Sequence, residues 1–162
     1  MKRARLQLIA GGLALALWGM GYGLWYAVAA EHQALDAMGG DLASAFSRAA
    51  ARDSSGAASS LRAYGSAAFA YTRQVDVHSH WIGLALLLMF LGLIFDNVQL
   101  GERLRAWTAS ALLAGAFVFP AGVLLQTMLS GPLPSALAIA GAALVTAALS
   151  LVVFGLLRSR AA

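Results

Sequence analysis

The sequence contains no cysteine and few charged residues, and each shortage excludes a class of protein. Without cysteine the chain cannot form a disulfide framework, a thiolate metal site or an iron–sulfur cluster of its own. Only 11% of its residues are charged, against roughly 25% in soluble domains, which leaves too little polar surface for a water-soluble globule. Because 60% of the residues are hydrophobic, we expect lipid to be the main solvent of this protein.

Four nearly charge-free apolar runs are each long enough to cross a hydrocarbon core about 30 Å thick. The predicted spans are residues 6–30, 77–95, 106–127 and 135–157. The predicted fold class is therefore all-α, an integral membrane four-helix bundle that forms a single membrane domain. The basic start and the small residues at 27–29 are also compatible with a cleaved signal peptide. We favour a retained helix, because the first run is longer than the usual signal core.

The basic residues predict the orientation of the bundle in the membrane. Seven of the eleven lie on one side of the predicted spans: Lys2, Arg3, Arg5, Arg103, Arg105, Arg158 and Arg160. The positive-inside rule then places both termini in the cytoplasm of a bacterial-type inner membrane, with residues 31–76 outside. The net charge of +4 does not indicate nucleic-acid binding, since the sequence has no basic patch interleaved with aromatic residues.

The segment between the first two spans, residues 31–76, is long enough to contain structure of its own. Gly39-Gly40 predicts a break, after which Asp41 is placed to cap a helix. Residues 53–56 are typical of a turn, and an apolar stripe over 61–75 then runs directly into the second span. We therefore expect a small extracytoplasmic helical hairpin whose second arm is continuous with the second membrane helix.

Small residues recur every four positions in two of the spans, a pattern that allows helices to approach closely. The residues are Gly19, Gly23 and Ala27 in the first span, and Ala138, Ala142, Thr146 and Ser150 in the fourth. They predict either helix packing within one bundle or the seam of a homo-oligomer.

Chemistry inside a membrane usually depends on ionisable residues within the spans, and these spans have almost none. A proton relay, a charge-coupled transporter and a Ser/His/Asp arrangement are therefore not supported, and we assign no catalytic residue. All three histidines, His32, His78 and His80, fall at one predicted membrane face, and imidazole is a ligand for iron, copper and zinc. Residues two apart on a helix point about 200° apart, so one of His78 and His80 should face inward.

Haem iron is the metal that the surrounding residues favour. Met89 and Phe90 in the second span and Phe117 and Phe119 in the third could line a slot for a macrocycle held by one axial imidazole. Zinc or copper would need several convergent ligands. Histidines that merely tolerate a membrane interface, and histidines that gate by titration, are the alternatives. The candidate cofactor-binding residues are His78, His80, Phe117 and Phe119, and the candidate metal ligands are His78, His80 and His32.

The motif His78-Ser79-His80, the glycine-punctuated apolar helix after it, the link 96–105 and the span 106–126 resemble the styrene oxide isomerase type of four-helix membrane haem protein. That family is similar in helix arrangement to a piece of the haem–copper oxidase membrane subunit. The resemblance implies that His78 is the axial ligand of haem b, near a subunit interface of a trimer, where ferric iron acts as a Lewis acid on an epoxide. The family's Asp, Asn and Tyr around the pocket have no counterparts in the apolar stretch 111–122, so isomerase chemistry does not carry over.

These observations lead to one expected function and two alternatives. We expect a small inner-membrane protein that binds haem b through His78 or His80, with a redox, sensing or Lewis-acid role. A homo-oligomer or a larger membrane complex is its expected assembly. The first alternative is a cofactor-free accessory or assembly subunit of a larger membrane complex. The second is an enzyme similar to an epoxide isomerase.

Overall fold

The computed structural model describes residues 2–158, with side chains from Arg3 onward, so Arg160 lies outside the described residues. The described residues form five α-helices and one short 3₁₀ segment, Phe95–Asn97, and contain no strand. The helices are α1 (Lys2–Ala29), α2 (Glu31–Ala50), α3 (Ser54–Ile94), α4 (Glu102–Leu125) and α5 (Pro132–Arg158). The predicted all-α class is confirmed.

Four of these helices, α1, α3, α4 and α5, are long and apolar enough to cross a membrane. Their apolar residues surround the whole helix rather than forming one stripe, which is typical of helices that have lipid as well as protein neighbours. By its internal contacts the chain divides into two compact units. The bundle unit comprises α1 up to Met20 and everything from Asp76 onward, and the loop unit comprises Gly21–Val75.

In the bundle unit, α4 and α5 run antiparallel and touch backbone to backbone at glycines. A Cβ atom added at Gly141 would lie 2.7 Å from the Cα of Phe119, and one added at Gly122 would lie 2.8 Å from the Cα of Ala138. Real Cβ atoms do not approach other atoms this closely, so these positions require glycine for the observed spacing. Small residues allow this packing when lipid tails provide no hydrophobic drive between helices.

The first part of α1 packs against α3 by the same means. A Cβ added at Gly12 would lie 2.9 Å from the carbonyl oxygen of Ala85, and one added at Gly92 would lie 2.6 Å from Cγ1 of Ile9. Leu8 is fully buried between these contacts. The close α1–α3 contact therefore depends on glycines contributed by both helices.

The predicted small-residue ridge of α5 is buried within the bundle unit only in its first half, which leaves the homo-oligomer alternative open for the second half. Ala138 is buried, but Thr146 and Ser150 are exposed, and their hydroxyls donate to the carbonyls of Ala142 and Thr146, four residues earlier. Because each hydroxyl is satisfied within its own helix, it can face outward without an interhelical partner. The buried face of α5 passes instead through Gly141, Val145, Ala148, Val152 and Gly155.

In the loop unit, α2 runs without interruption through Gly39-Gly40, so the predicted break and the helix cap at Asp41 are wrong. A glycine inside a helix costs about 1 kcal/mol relative to alanine, which weakens the helix without ending it. The helix ends at Ala50 in a Schellman motif. Arg52 takes a left-handed conformation with φ of 59°, and the Asp53 amide donates to the carbonyl of Arg48.

Asp53 is the last residue of the link between α2 and α3, and it caps α3, which begins at Ser54. The carboxylate of Asp53 accepts hydrogen bonds from the Gly56 amide at 2.9 Å and from the Ser55 hydroxyl at 3.0 Å, which caps the helix. These bonds hold the pKa of Asp53 below its usual value, first through the Gly56 amide and then through Ser55, with Arg48 adding a smaller effect. As predicted, α3 continues without a break from the loop unit into the second apolar run.

Candidate functional site

Helix α3 directs its two histidine rings to different neighbours in the bundle unit. Nδ1 of His78 lies 2.9 Å from the backbone carbonyl oxygen of Gly19 in α1. The ring of His80 packs on Phe119 in α4, with 4.7 Å between ring centroids. Both histidines are half-buried. The two rings therefore do not share one face of α3, as their spacing of two residues requires.

The contact between His78 and Gly19 assigns the tautomer of the imidazole. A carbonyl oxygen can only accept a hydrogen bond, so Nδ1 carries the proton and donates it. Nε2 is then left as the basic nitrogen, and among residues 3–158 it has no hydrogen-bond partner. Histidines that bind metals commonly donate their other ring N–H to a backbone carbonyl, which orients the ring and strengthens the ligating nitrogen.

Gly19 lies close to α3 beside this hydrogen bond. A Cβ atom at position 19 would lie 3.0 Å from Cβ of Trp81 and 3.1 Å from Cδ1 of Ile82. Both neighbours lie on α3 one turn beyond His78, and they would have to shift by a few tenths of an ångström to admit a side chain at position 19. The sequence pattern included Gly19 among the small residues of the first span, but it did not reveal that its carbonyl would meet an imidazole.

Phe117 belongs to an aromatic cluster with two tryptophans. Trp18 and Trp81 meet edge to face with centroids 5.9 Å apart, and the ring of Phe117 lies 6.3 Å from each of them. Trp81 is 1% exposed, whereas Phe117 is 47% exposed. The cluster thus begins in the core, one turn from His78, and ends at the outer face of α4.

An open apolar groove of about 260 Å³ runs beside this cluster between α1 and α4, lined by Gly11, Ala14, Leu15, Trp18, Leu113 and Phe117. Sites for drug-sized ligands usually occupy about 300–1,000 Å³, and neither His78 nor His80 lines this groove. Nε2 of His78 therefore suits an axial ligand, but it does not face this groove. Phe119 contacts His80 rather than His78, and Phe90 is largely exposed.

The third histidine does not complete a metal site. His32 lies in α2, within the loop unit, and is exposed. Within the part of the chain that the structure describes, no group of three His, Cys, Asp or Glu side chains is placed to hold a metal ion. A discrete zinc or copper centre, which would need several convergent ligands, is not supported. One imidazole remains sufficient for haem.

Comparison of the chain with protein-family models, with curated proteins and with solved structures finds no match in any of the three.

Proposed function

We propose that this protein is a multi-pass inner-membrane protein that binds haem b through Nε2 of His78. The observation that carries the proposal is the hydrogen bond from His78 Nδ1 to the Gly19 carbonyl, which fixes the tautomer and leaves one basic nitrogen. The half-buried position of His78 leaves part of the ring accessible. The resemblance of the His78-Ser79-His80 motif to membrane haem proteins points to the same residue.

The residues of this chain would bind the haem and set the orientation of its ligand, and the haem itself would supply the chemistry. Bound haem supplies an iron centre for electron transfer, sensing or Lewis-acid activation. The Gly19 carbonyl keeps the proton on Nδ1 and orients the ring, so Nε2 is the nitrogen that would hold the iron. Because the groove beside Phe117 is open, the proposal includes a homo-oligomer in which a second copy covers the exposed aromatic side chains around Phe117.

We propose the orientation that the basic residues favour, with both termini cytoplasmic. In this arrangement α2 and the beginning of α3 form the extracytoplasmic helical hairpin. Two features support this pairing: the Ser60 hydroxyl lies 3.3 Å from that of Ser44, and the two helices are joined by a link of three residues, 51–53. A reporter fused within residues 51–53 should register outside the cytoplasm, and a cytoplasmic signal would contradict the orientation.

The haem proposal is tested by visible spectroscopy of the full chain. The protein is produced in haem-replete cells, purified in mild detergent and measured oxidised and dithionite-reduced. We expect a Soret band that is lost in His78→Ala and kept in His80→Ala, because the ring of His80 packs on Phe119. A colourless wild-type protein, or loss of the band only in His80→Ala, would refute the assignment of His78.

Gly19→Ala tests whether the carbonyl positions the imidazole. The added Cβ would meet Trp81, which would have to shift by a few tenths of an ångström, so the hydrogen bond to His78 should weaken. We expect a reduction potential that differs from that of the wild type, because a weaker bond to Nδ1 makes Nε2 a poorer donor. Gly21→Ala is the matched control, since a Cβ at position 21 meets no described atom within 4 Å. If the bound haem has the same reduction potential in both variants and in the wild type, the Gly19 carbonyl does not position the His78 imidazole.

The alternative proposal is a cofactor-free accessory or assembly subunit of a larger membrane complex. It is favoured by the apolar groove, which contains no histidine, and by the fact that a bond to Gly19 already accounts for the position of His78. In that case His78 ties α1 to α3 and has no ligand. Purification from membranes would then yield a colourless protein together with stable partner chains.

A further inference from the structure

A second groove lies in the bundle unit, beside the first turns of α1 and the end of α3. It has a volume of about 430 Å³ and is lined by Arg5, Leu6, Ile9 and Asp96. Gly92 brings the two helices together there, because a Cβ at this position would lie 2.6 Å from Ile9 and 3.3 Å from the carbonyl of Arg5. Asp96 follows Gly92 by four residues, which places its carboxylate beside Arg5.

The polar end of this groove carries one charge of each sign. Nη1 of Arg5 lies 3.3 Å from Oδ2 of Asp96, and the side chains are 45% and 30% exposed, respectively. A guanidinium has five N–H donors, so this single contact leaves others available. The other carboxylate oxygen of Asp96, Oδ1, is buried and has no hydrogen-bond partner among the described residues. A ligand in the groove therefore reaches the carboxylate through Oδ2, which can accept more than one hydrogen bond. The pair thus retains capacity for both an anion and a hydrogen-bond donor.

The apolar wall of the groove begins immediately beside these charges. Leu6 is 67% exposed and Ile9 is half-buried, and both belong to the first apolar run. Charged side chains at the end of an apolar helix lie at the level of the lipid headgroups when the helix spans a bilayer. A ligand that fills the whole groove therefore needs an anion and a cation side by side at the polar end and an apolar chain beneath them.

We propose that this groove is a binding site for phosphatidylethanolamine. The lipid phosphate binds the free N–H groups of Arg5, the primary ammonium donates to the carboxylate of Asp96, and an acyl chain lies along Leu6 and Ile9. Phosphatidylcholine has the same charges, but its quaternary ammonium has no N–H to donate to Asp96. Phosphatidylglycerol lacks the cation. The site therefore discriminates lipids by the hydrogen-bonding ammonium, and it does not depend on haem.

The test measures lipid retained by the full chain. Protein in nanodiscs containing equal amounts of phosphatidylethanolamine, phosphatidylcholine and phosphatidylglycerol is transferred to mild detergent, and bound lipid is quantified by native mass spectrometry. We expect about fivefold enrichment of phosphatidylethanolamine over phosphatidylcholine, the scale of a partly exposed charge pair. Equal retention of these two lipids by the wild type would overturn the proposal.

Two substitutions separate the roles of the charges. Asp96→Asn should abolish the preference for phosphatidylethanolamine over phosphatidylcholine while phosphate binding persists, and Arg5→Gln should lower retention of all three lipids. Arg103→Gln is the matched control, because Arg103 is an exposed arginine of α4 that does not line the groove. Helix content measured by circular dichroism verifies folding. If Asp96→Asn keeps the wild-type preference, or if Arg103→Gln lowers retention as much as Arg5→Gln, the site is wrong.

Discussion

The contact between α4 and α5 predicts that Gly141→Ala destabilises the protein although alanine favours helices. The added Cβ would lie 2.7 Å from the Cα of Phe119 and 3.0 Å from its Cβ. The closest of these atoms belong to the backbone and cannot rotate away, so α4 and α5 must separate. Forcing extra volume into a packed contact costs about 1–3 kcal/mol, while replacing glycine in a helix gains up to about 1 kcal/mol. We expect a net loss of about 1–2 kcal/mol.

Two further substitutions distinguish a backbone clash from other effects of removing glycine. Gly83→Ala, in α3, should be neutral or stabilising, because a Cβ there meets no described atom within 4 Å. At Gly11 a Cβ would meet the end of the Leu113 side chain. That side chain can change rotamer, so Gly11→Ala should cost less than Gly141→Ala and should be rescued by Leu113→Ala. Phe119→Ala should not rescue Gly141→Ala, since the obstacle is backbone.

The assay is equilibrium unfolding in mixed micelles. Unfolding by increasing detergent denaturant is followed by circular dichroism together with the fluorescence of the four tryptophans, of which Trp81 is 1% exposed in the folded bundle. The free energy of unfolding of Gly141→Ala should fall about 1–3 kcal/mol below that of Gly83→Ala, the sum of the loss at one site and any gain at the other. If the two variants are equally stable, the interhelical spacing described for α4 and α5 is incorrect.

Three other predictions concern the links between helices. The pKa of Asp53 is lowered, so its cap on α3 should be fully present above about pH 4 and lost as the pH falls through the folded pKa. The protection of the Gly56 amide against hydrogen exchange, relative to an unstructured amide at the same pH, should fall over that range. Asp53→Asn, which keeps an acceptor, should remove this pH dependence. Arg52→Gly should stabilise the end of α2 by about 1 kcal/mol, because arginine is strained at φ of 59°. The amides at the end of α2 should then exchange their hydrogens about fivefold more slowly. Unchanged hydrogen exchange would contradict that strain. Arg105→Leu should lower the free energy of unfolding by about 1–3 kcal/mol in the same assay, because the Arg105 guanidinium donates to two carbonyls of the link between α3 and α4. Arg105→Lys should recover only part of that free energy.

In the loop unit some sequence patterns predicted the ends of the helices correctly and one did not. The turn at 53–56 was recognisable because aspartate and serine side chains bond to nearby backbone amides, and the Asp53 cap uses these bonds. Gly39-Gly40 was misleading, because two glycines lower the stability of a helix without imposing an end. The long α3 followed from a stripe of apolar residues at helical spacing that had no interruption before the second span.

The candidate site was predictable only in part. Its residue types could be selected, since histidine and aromatic residues are scarce enough in this chain to stand out. Their partners could not: Phe117 joins Trp18 and Trp81 rather than an imidazole, and His32 is exposed in another unit. The acceptor for His78 is a backbone carbonyl, and every residue has one. Nothing in a sequence marks which carbonyl a side chain will reach.

The sequence by itself determined that the chain is helical and that four of its helices can span a bilayer, because lipid leaves a long apolar segment no other way to satisfy its backbone hydrogen bonds. Only the tertiary structure decided which face of each helix packs, and hence that His78 meets Gly19 while Thr146 and Ser150 face outward. The physical reason is that lipid tails are as apolar as the protein core. Hydrophobic patterning therefore carries little information about which side of a membrane helix is buried. The buried side is the one whose small residues allow close backbone contact with a neighbouring helix.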